Sequence, residues 1–152
     1  MRLSVDEYFC TIATVVALRS TCVRRAVGCV LVDKRNRVLA TGYNGVASGR
    51  PHCIDAPCPG AGFRLGAGLE LCEAIHAEQN ALLQCRNTDA VYAAYCTTAP
   101  CIHCVKLLSN TQCQEIIYIQ AYDSSRSNMW DGIWRRFESD RLETALKSRR
   151  FP

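Results

Sequence analysis

The 152-residue sequence lacks any long apolar run, and the stretch Ile12–Leu18 falls far short of the ~20 residues a membrane span requires. Nothing after Met1 has the charged, apolar and small-residue layout of a secretory leader, so a soluble, cytoplasmic protein is expected. A large excess of one charge is also missing. The net charge of +4, with basic residues at Arg24 and Arg25 and in the tail, suits a phosphorylated small molecule as well as nucleic acid. Aromatic residues are sparse and do not interleave with a basic stripe, which single-strand binders usually offer, so a nucleic-acid partner is not expected. There is no internal repeat and no low-complexity tract. A chain of this length, about half apolar, is expected to form a single domain over residues 1–152.

Cysteine, by contrast, is abundant. Eleven cysteines without a secretory leader do not suggest a disulfide framework, because the cytosol keeps thiols reduced, and an odd number cannot pair completely. Metal binding by some of them is the better explanation, with Cys10, Cys29 and Cys96 serving as small buried apolar residues.

Ser4 with Glu7 three residues later reads as a capping box opening a helix from about Ser4 to Arg19. Val27–Val32 and Val38–Thr41 flank the polar turn Asp33–Arg37 as a β-hairpin that ends in Gly42-Tyr43-Asn44-Gly45. Residues Val46–Gly68 form a long Gly-, Pro- and Cys-rich segment with no period; loops this long are usually functional or pinned. A helix is expected over Leu71–Gln84, then a polar break at Arg86–Asp89 and a strand at Val91–Cys96. A short helix at Cys101–Ser109 and a strand at Glu115–Gln120 follow, with one or two helices in Asn128–Arg150. This order suggests a mixed sheet flanked by helices, with the two later strands parallel.

Two motifs carry chemistry: His76-Ala77-Glu78 in a helix, and Pro100-Cys101-Ile102-His103-Cys104 after a strand. A Cys-x-x-Cys pair at a helix N-terminus can turn both sulfurs to one point, where the helix dipole favours thiolates. His76 supplies a third ligand, and three ligands leave a tetrahedral zinc one position for water, whose pKa then falls to roughly 7. Glu78 can take that water's proton and deliver it to a ring nitrogen and then to leaving ammonia. In this order the two motifs form the signature of the zinc-dependent nucleobase deaminases, with the glutamate as general acid and base rather than a ligand. His103, between the two cysteines, is expected to point elsewhere.

Beyond these motifs the chain resembles the deoxycytidylate (dCMP) deaminase family, especially its short bacterial and phage members. The similarity runs through Asp6-Glu7-Tyr8-Phe9, Arg19 to Arg25, Val27-Gly28, Thr41 to Gly45, His52-Cys53, Glu70-Leu71-Cys72, His76 to Ala81, Tyr95-Cys96-Thr97 and Pro100-Cys101. The resemblance implies a three-layer α/β/α sandwich around a central mixed five-stranded sheet, as in cytidine deaminases. It also implies hydrolysis of dCMP to dUMP, which feeds thymidylate synthesis, and a homohexamer activated by dCTP and inhibited by dTTP. Gly42, Tyr43 and Gly45 match the effector-site element. Asn44 matches the position that holds the sugar; the alternative is a turn residue tolerating unusual dihedrals.

Some family members carry a second, structural zinc. Here Cys22, Cys53, Cys58 and Cys72 are placed to supply it, with His52 as a substitute for one of them; the alternative is unligated buried thiols. Leu69 stands where related short members often have a histidine. Arg24 and Arg25 suit a phosphate through bidentate guanidinium pairing, or else lie on a solvated turn. Tyr122 could donate to the same phosphate, or pack at the core edge. The Arg86–Asp89 segment is shorter than in typical members, in the region of the effector site, so altered or absent allosteric control is the alternative expectation. Two competing readings are deamination of dCTP, alone or alongside dCMP, and a zinc-stabilised module that binds nucleic acid through the basic tail.

Overall fold

The computed structural model describes residues 2–121 and 134–140. Helix α1 (Val5–Ala17) opens at the expected capping box: the Glu7 N–H donates to Ser4 Oγ at 3.1 Å, and the Ser4 N–H donates to Glu7 Oε2 at 2.8 Å. Strands β1 (Gly28–Val32) and β2 (Val38–Tyr43) form the hairpin, which extends two residues beyond Thr41 because Gly42 and Tyr43 pair with Cys29 and Gly28. Helix α2 (Ala77–Gln84), β3 (Ala93–Thr98), α3 (Ile102–Ser109), β4 (Glu115–Gln120) and β5 (Trp134–Arg136) follow.

The strands lie in the order β2-β1-β3-β4-β5. β1 runs antiparallel to both β2 and β3, while β3, β4 and β5 are mutually parallel. Side chains alternate across β1, so the two faces bury different sets. Cys29 and Leu31 pack with Ala77 and Ala81 of α2 and Val105 and Leu108 of α3. Val30 and Val32 pack with Phe9, Cys10 and Ala13 of α1. The result is the expected α/β/α sandwich with a mixed five-stranded sheet, and Cys10, Cys29 and Cys96 are fully buried within it.

Two expectations need correction. The span Leu71–Gln84 is not one helix: a short 3-10 turn covers Leu69–Leu71, and α2 begins only at Ala77. Residue Ile75 is instead drawn into a bridge with Gly45, and this tertiary pairing overrides the helix propensity of the segment. Within Asn128–Arg150, Trp134–Arg136 is an edge strand and not helix, because its backbone pairs with Ile116–Tyr118 of β4. The rest of that segment lies outside the described residues.

The edge strand is held to α1 by charge. Arg135 Nη1 donates to Asp6 Oδ2 at 2.7 Å, and the Tyr95 hydroxyl donates to Asp6 Oδ1 at 2.9 Å. Burial works to raise the Asp6 pKa, but the hydrogen bonds from Arg135 and Tyr95 outweigh it and leave the carboxyl below its ordinary 3.8. Such a depressed pKa contributes stability that is present above the unfolded value and is lost as pH falls through the folded one. Asp6→Asn should therefore destabilise the fold at pH 7 by only about 0.5–1 kcal/mol, since Arg135 is nearly half exposed and screened by solvent. Urea unfolding at pH 7 and pH 3 checks this, with the gap to wild type closing at the lower pH.

Candidate active site

The site is assembled where β3 runs out and the N-termini of α2 and α3 converge. Cys101 is the N-cap of α3 and Cys104 lies in its first turn; His76 is the N-cap of α2 and Glu78 lies in its first turn. All four thus sit at helix starts, where free N–H groups favour anionic side chains. His76 Nδ1 lies 3.5 Å from Cys101 Sγ and 3.4 Å from Cys104 Sγ. Among the described residues, these three are the one group of His, Cys, Asp or Glu side chains whose ligand atoms all fall within 4.8 Å of one another.

The donor set is one imidazole nitrogen and two sulfurs, the borderline-soft combination zinc favours, with three protein ligands rather than a closed four. Protonation of the group fits a cation as well. A hydrogen bond from Cys104, with His76 next, lowers the Cys101 thiol to about 3, while hydrogen bonding to Cys101 and burial push Cys104 up. Two sulfurs sharing one proton is the state a dication would displace. The Cys101 thiolate also raises the His76 pKa. His103 is exposed and outside the group, as expected.

Glu78 is 3% exposed, and its carboxyl is pushed above the ordinary 4.5 chiefly by desolvation. A buried carboxyl with a raised pKa beside this His/Cys/Cys group is a candidate to accept and return a proton.

Asn44 is buried at the end of β2 with its amide engaged. Its Oδ1 accepts from the Val27 N–H at 2.8 Å and from Ser20 Oγ at 2.7 Å, and its Nδ2 donates to the Arg25 carbonyl at 2.7 Å. This ties the 20–27 turn, which carries Arg24 and Arg25, to the strand end. An amide has two N–H groups, and among the described residues the Arg25 carbonyl is the partner of one of them. Ser20 received no role from the sequence, since a lone serine after a helix gives no signal of a partner 24 residues away. Arg24 Nη2 donates to the carbonyls of Arg64 and Ala67 at 2.6 and 2.8 Å, lacing the long loop to the turn. Arg19 lies over the Tyr43 ring, 6.0 Å from its centroid. Tyr122 lies outside the described residues.

The four remaining candidate ligands gather in that loop. Cys53 Sγ and Cys58 Sγ are 3.8 Å apart, and Cys58 also hydrogen-bonds with Cys72. The Glu73 backbone N–H leads the interactions that hold Cys58 below the ordinary thiol range. Burial, with Cys22 and Cys58 close by, pushes Cys72 up. No three of these four sulfurs close within 4.8 Å, and His52 is exposed.

Comparison with known proteins agrees with this geometry. Residues 3–120 match the family described as the cytidine and deoxycytidylate deaminase zinc-binding region. The deoxycytidylate deaminase of Mycobacterium phage D29 is 41% identical over 119 residues, covering 74% of this chain and 92% of that protein. The deoxycytidylate deaminase of Saccharomyces cerevisiae is 40% identical over 124 residues, covering 80% of this chain. The chain spans 39% of that yeast relative's length. Among solved structures, the dCMP deaminase of cyanophage S-TIM5 in apo form superposes with a TM-score of 0.68 at 25% identity, covering 90% of this chain and all of that one. With the two signature motifs, the fold and these relatives in agreement, the chain belongs to the zinc-binding cytidine and deoxycytidylate deaminase family.

Proposed function

We propose that the protein is a zinc-dependent hydrolase that converts dCMP and water to dUMP and ammonia in the cytoplasm, supplying dUMP for thymidylate synthesis. The observation that carries this reading is the meeting of His76, Cys101 and Cys104 around one point with Glu78 buried beside them. The names of the 41%-identical phage relative and the 40%-identical yeast relative support dCMP over other cytosine substrates.

His76, Cys101 and Cys104 would hold the zinc, which would supply Lewis acidity to make water nucleophilic near neutral pH. Glu78 accepts the proton that water gives up as its oxygen bonds to C4 of cytosine. It passes the proton to ring N3, and a second transfer through the same carboxyl lets the amino group depart as ammonia. The bond formed is C4–O and the bond broken is C4–N, with no change of oxidation state. The near-complete burial of Glu78 keeps bulk water from exchanging that proton. The second N–H of Asn44 is suited to a sugar hydroxyl.

Arg25, fixed through its carbonyl by Asn44, is the proposed phosphate contact. Arg25→Gln should raise KM for dCMP by roughly 10- to 100-fold, the loss of a charged hydrogen bond, with kcat little changed. Cys22, Cys53, Cys58 and Cys72 are proposed as a second, structural zinc site that pins the loop between β2 and α2. Control by dCTP and dTTP through the Gly42–Gly45 element, and assembly into a homohexamer, belong to the same reading.

Ammonia release from dCMP, dCTP and cytidine, compared as kcat/KM, is the test. Preference for dCMP is expected. Preference for dCTP would move the assignment to the triphosphate, and turnover of cytidine alone would overturn the phosphate contacts while leaving the metal chemistry.

A further inference from the structure

The histidine and the two cysteines reach the metal-ligand group from different directions. Cys101 and Cys104 leave β3 directly, so their place is set by the centre of the sheet. His76 is the N-cap of α2, a helix of eight residues that lies over the edge strand β2 and the neighbouring β1, with its closest approach on β2, two strands away from β3. Something must fix α2 on that edge closely enough for Nδ1 to meet both sulfurs, because metal–ligand distances tolerate only about 0.2 Å of error.

The end of β2 grips the chain on both sides of His76. Before it, Ile75 exchanges both backbone hydrogen bonds with Gly45: the Gly45 N–H donates to the Ile75 carbonyl at 3.1 Å, and the Ile75 N–H donates to the Gly45 carbonyl at 2.8 Å. After it, Ala77 and Ala81 bring the α2 backbone directly onto Gly42. A Cβ at residue 42 would overlap the Ala77 carbonyl and the Ala81 nitrogen, and would stand 2.9 Å from the Ala81 Cα. Those are backbone atoms that cannot rotate aside. One turn further on, Asn80 Nδ2 donates to the Tyr43 carbonyl at 2.8 Å, which fixes the helix along the strand. Height, register and the residue just before the ligand are each set by the same four-residue element.

We propose that Gly42, Gly45 and Asn80 are positioning residues of the metal site, holding His76 and Glu78 opposite Cys101 and Cys104. The proposal rests on the reading of that group as a zinc site, and it gives the Gly42–Gly45 element a role that needs no bound effector. A side chain at residue 42 lifts α2 by on the order of 1 Å, a displacement that alone costs about 10²-fold where reacting groups must be aligned. Loss of the Asn80 bond leaves the helix height intact and frees its register.

The experiment compares Gly42→Ala, Asn80→Ala and Gly62→Ala. Gly62 is the control, since a Cβ there meets nothing within 4 Å and its backbone is ordinary. Cadmium-113 NMR of the cadmium-loaded protein separates a two-sulfur, one-nitrogen site from an all-sulfur site, so each is read by itself. In Gly42→Ala and Asn80→Ala the mixed nitrogen–sulfur resonance should move, and zinc should leave that site for a chelator about 10- to 100-fold faster, as when outer partners of ligands are lost. The kcat on dCMP should fall with KM little changed, and Gly62→Ala should match wild type throughout. Should Gly42→Ala fail to fold, Asn80→Ala decides, because it deletes one hydrogen bond and adds no atoms. A folded Asn80→Ala protein with an unmoved resonance and wild-type zinc release overturns the proposal. Failure of the wild type to deaminate dCMP would overturn the substrate assignment instead, since neither the resonance nor zinc release depends on which nucleotide is consumed.

Discussion

Glu78→Gln is expected to lower kcat on dCMP by about 10²–10⁴-fold, the range for removing a general acid–base group, while zinc remains bound. Glutamine keeps the shape and can still accept and donate hydrogen bonds, but it cannot take a proton from water and hand it on. Glu78 is not among the ligand atoms that converge on one point, so its loss should leave metal content intact. A zinc-loaded Glu78→Gln enzyme with normal turnover would refute the role assigned to this carboxyl. The same substitution has a signature in the metal-free protein. Desolvation raises the Glu78 pKa above 4.5 in the folded state, so the folded chain holds a proton that the unfolded chain releases. Stability from that group is therefore full below about pH 4.5 and is lost as pH rises through the folded pKa. Metal-free Glu78→Gln should accordingly melt above metal-free wild type at pH 7, and the two should converge near pH 4. Thermal melts at both pH values measure this.

Removing ligands one site at a time should separate catalysis from architecture. Cys104→Ala should abolish zinc at the catalytic site and reduce deamination to background, yet leave the sheet intact, because Val105 and Leu108 still bury α3 against it. Cys58→Ala should lose the other proposed metal and leave the loop between Gly45 and Ile75 open to proteolysis. Zinc at a closed thiolate site contributes folding energy outright, on the order of 10 kcal/mol in small zinc-dependent folds. Metal analysis should find two zinc ions per wild-type chain and one in each variant. One zinc in the wild type, retained in Cys58→Ala, would remove the structural site from the assignment. Limited proteolysis and ammonia release on the same samples show which function each metal serves.

How far each feature could be read along the chain depended on how local its cause is. The capping box of α1, the hairpin around Asp33–Arg37 and the helix after Cys101 arise from contacts between residues a few positions apart, so spacing and residue type revealed them. The grouping of His76 with Cys101 and Cys104 was legible for a related reason: few residue types serve zinc chemistry, and His-x-Glu followed by Pro-Cys-x-x-Cys leaves little freedom. The exact start of α2 was not legible. Leu71–Ile75 has ordinary helical composition, and only its partner Gly45, 30 residues away, draws Ile75 out of the helix. The same holds for Trp134–Arg136, which becomes a strand because β4 and Asp6 are there to receive it.

By itself the sequence determined which side chains are the candidates for the proposed chemistry: one imidazole, two thiols and one carboxylate, in the order the zinc-dependent deaminases share. Tertiary structure decided where they meet. Ligand geometry is a matter of tenths of an ångström between segments 25 and 28 residues apart. That precision comes from packing, from glycines that admit a helix backbone and from an asparagine that fixes its register. None of these leaves a mark in local composition, because a close approach becomes visible only when both surfaces are in place.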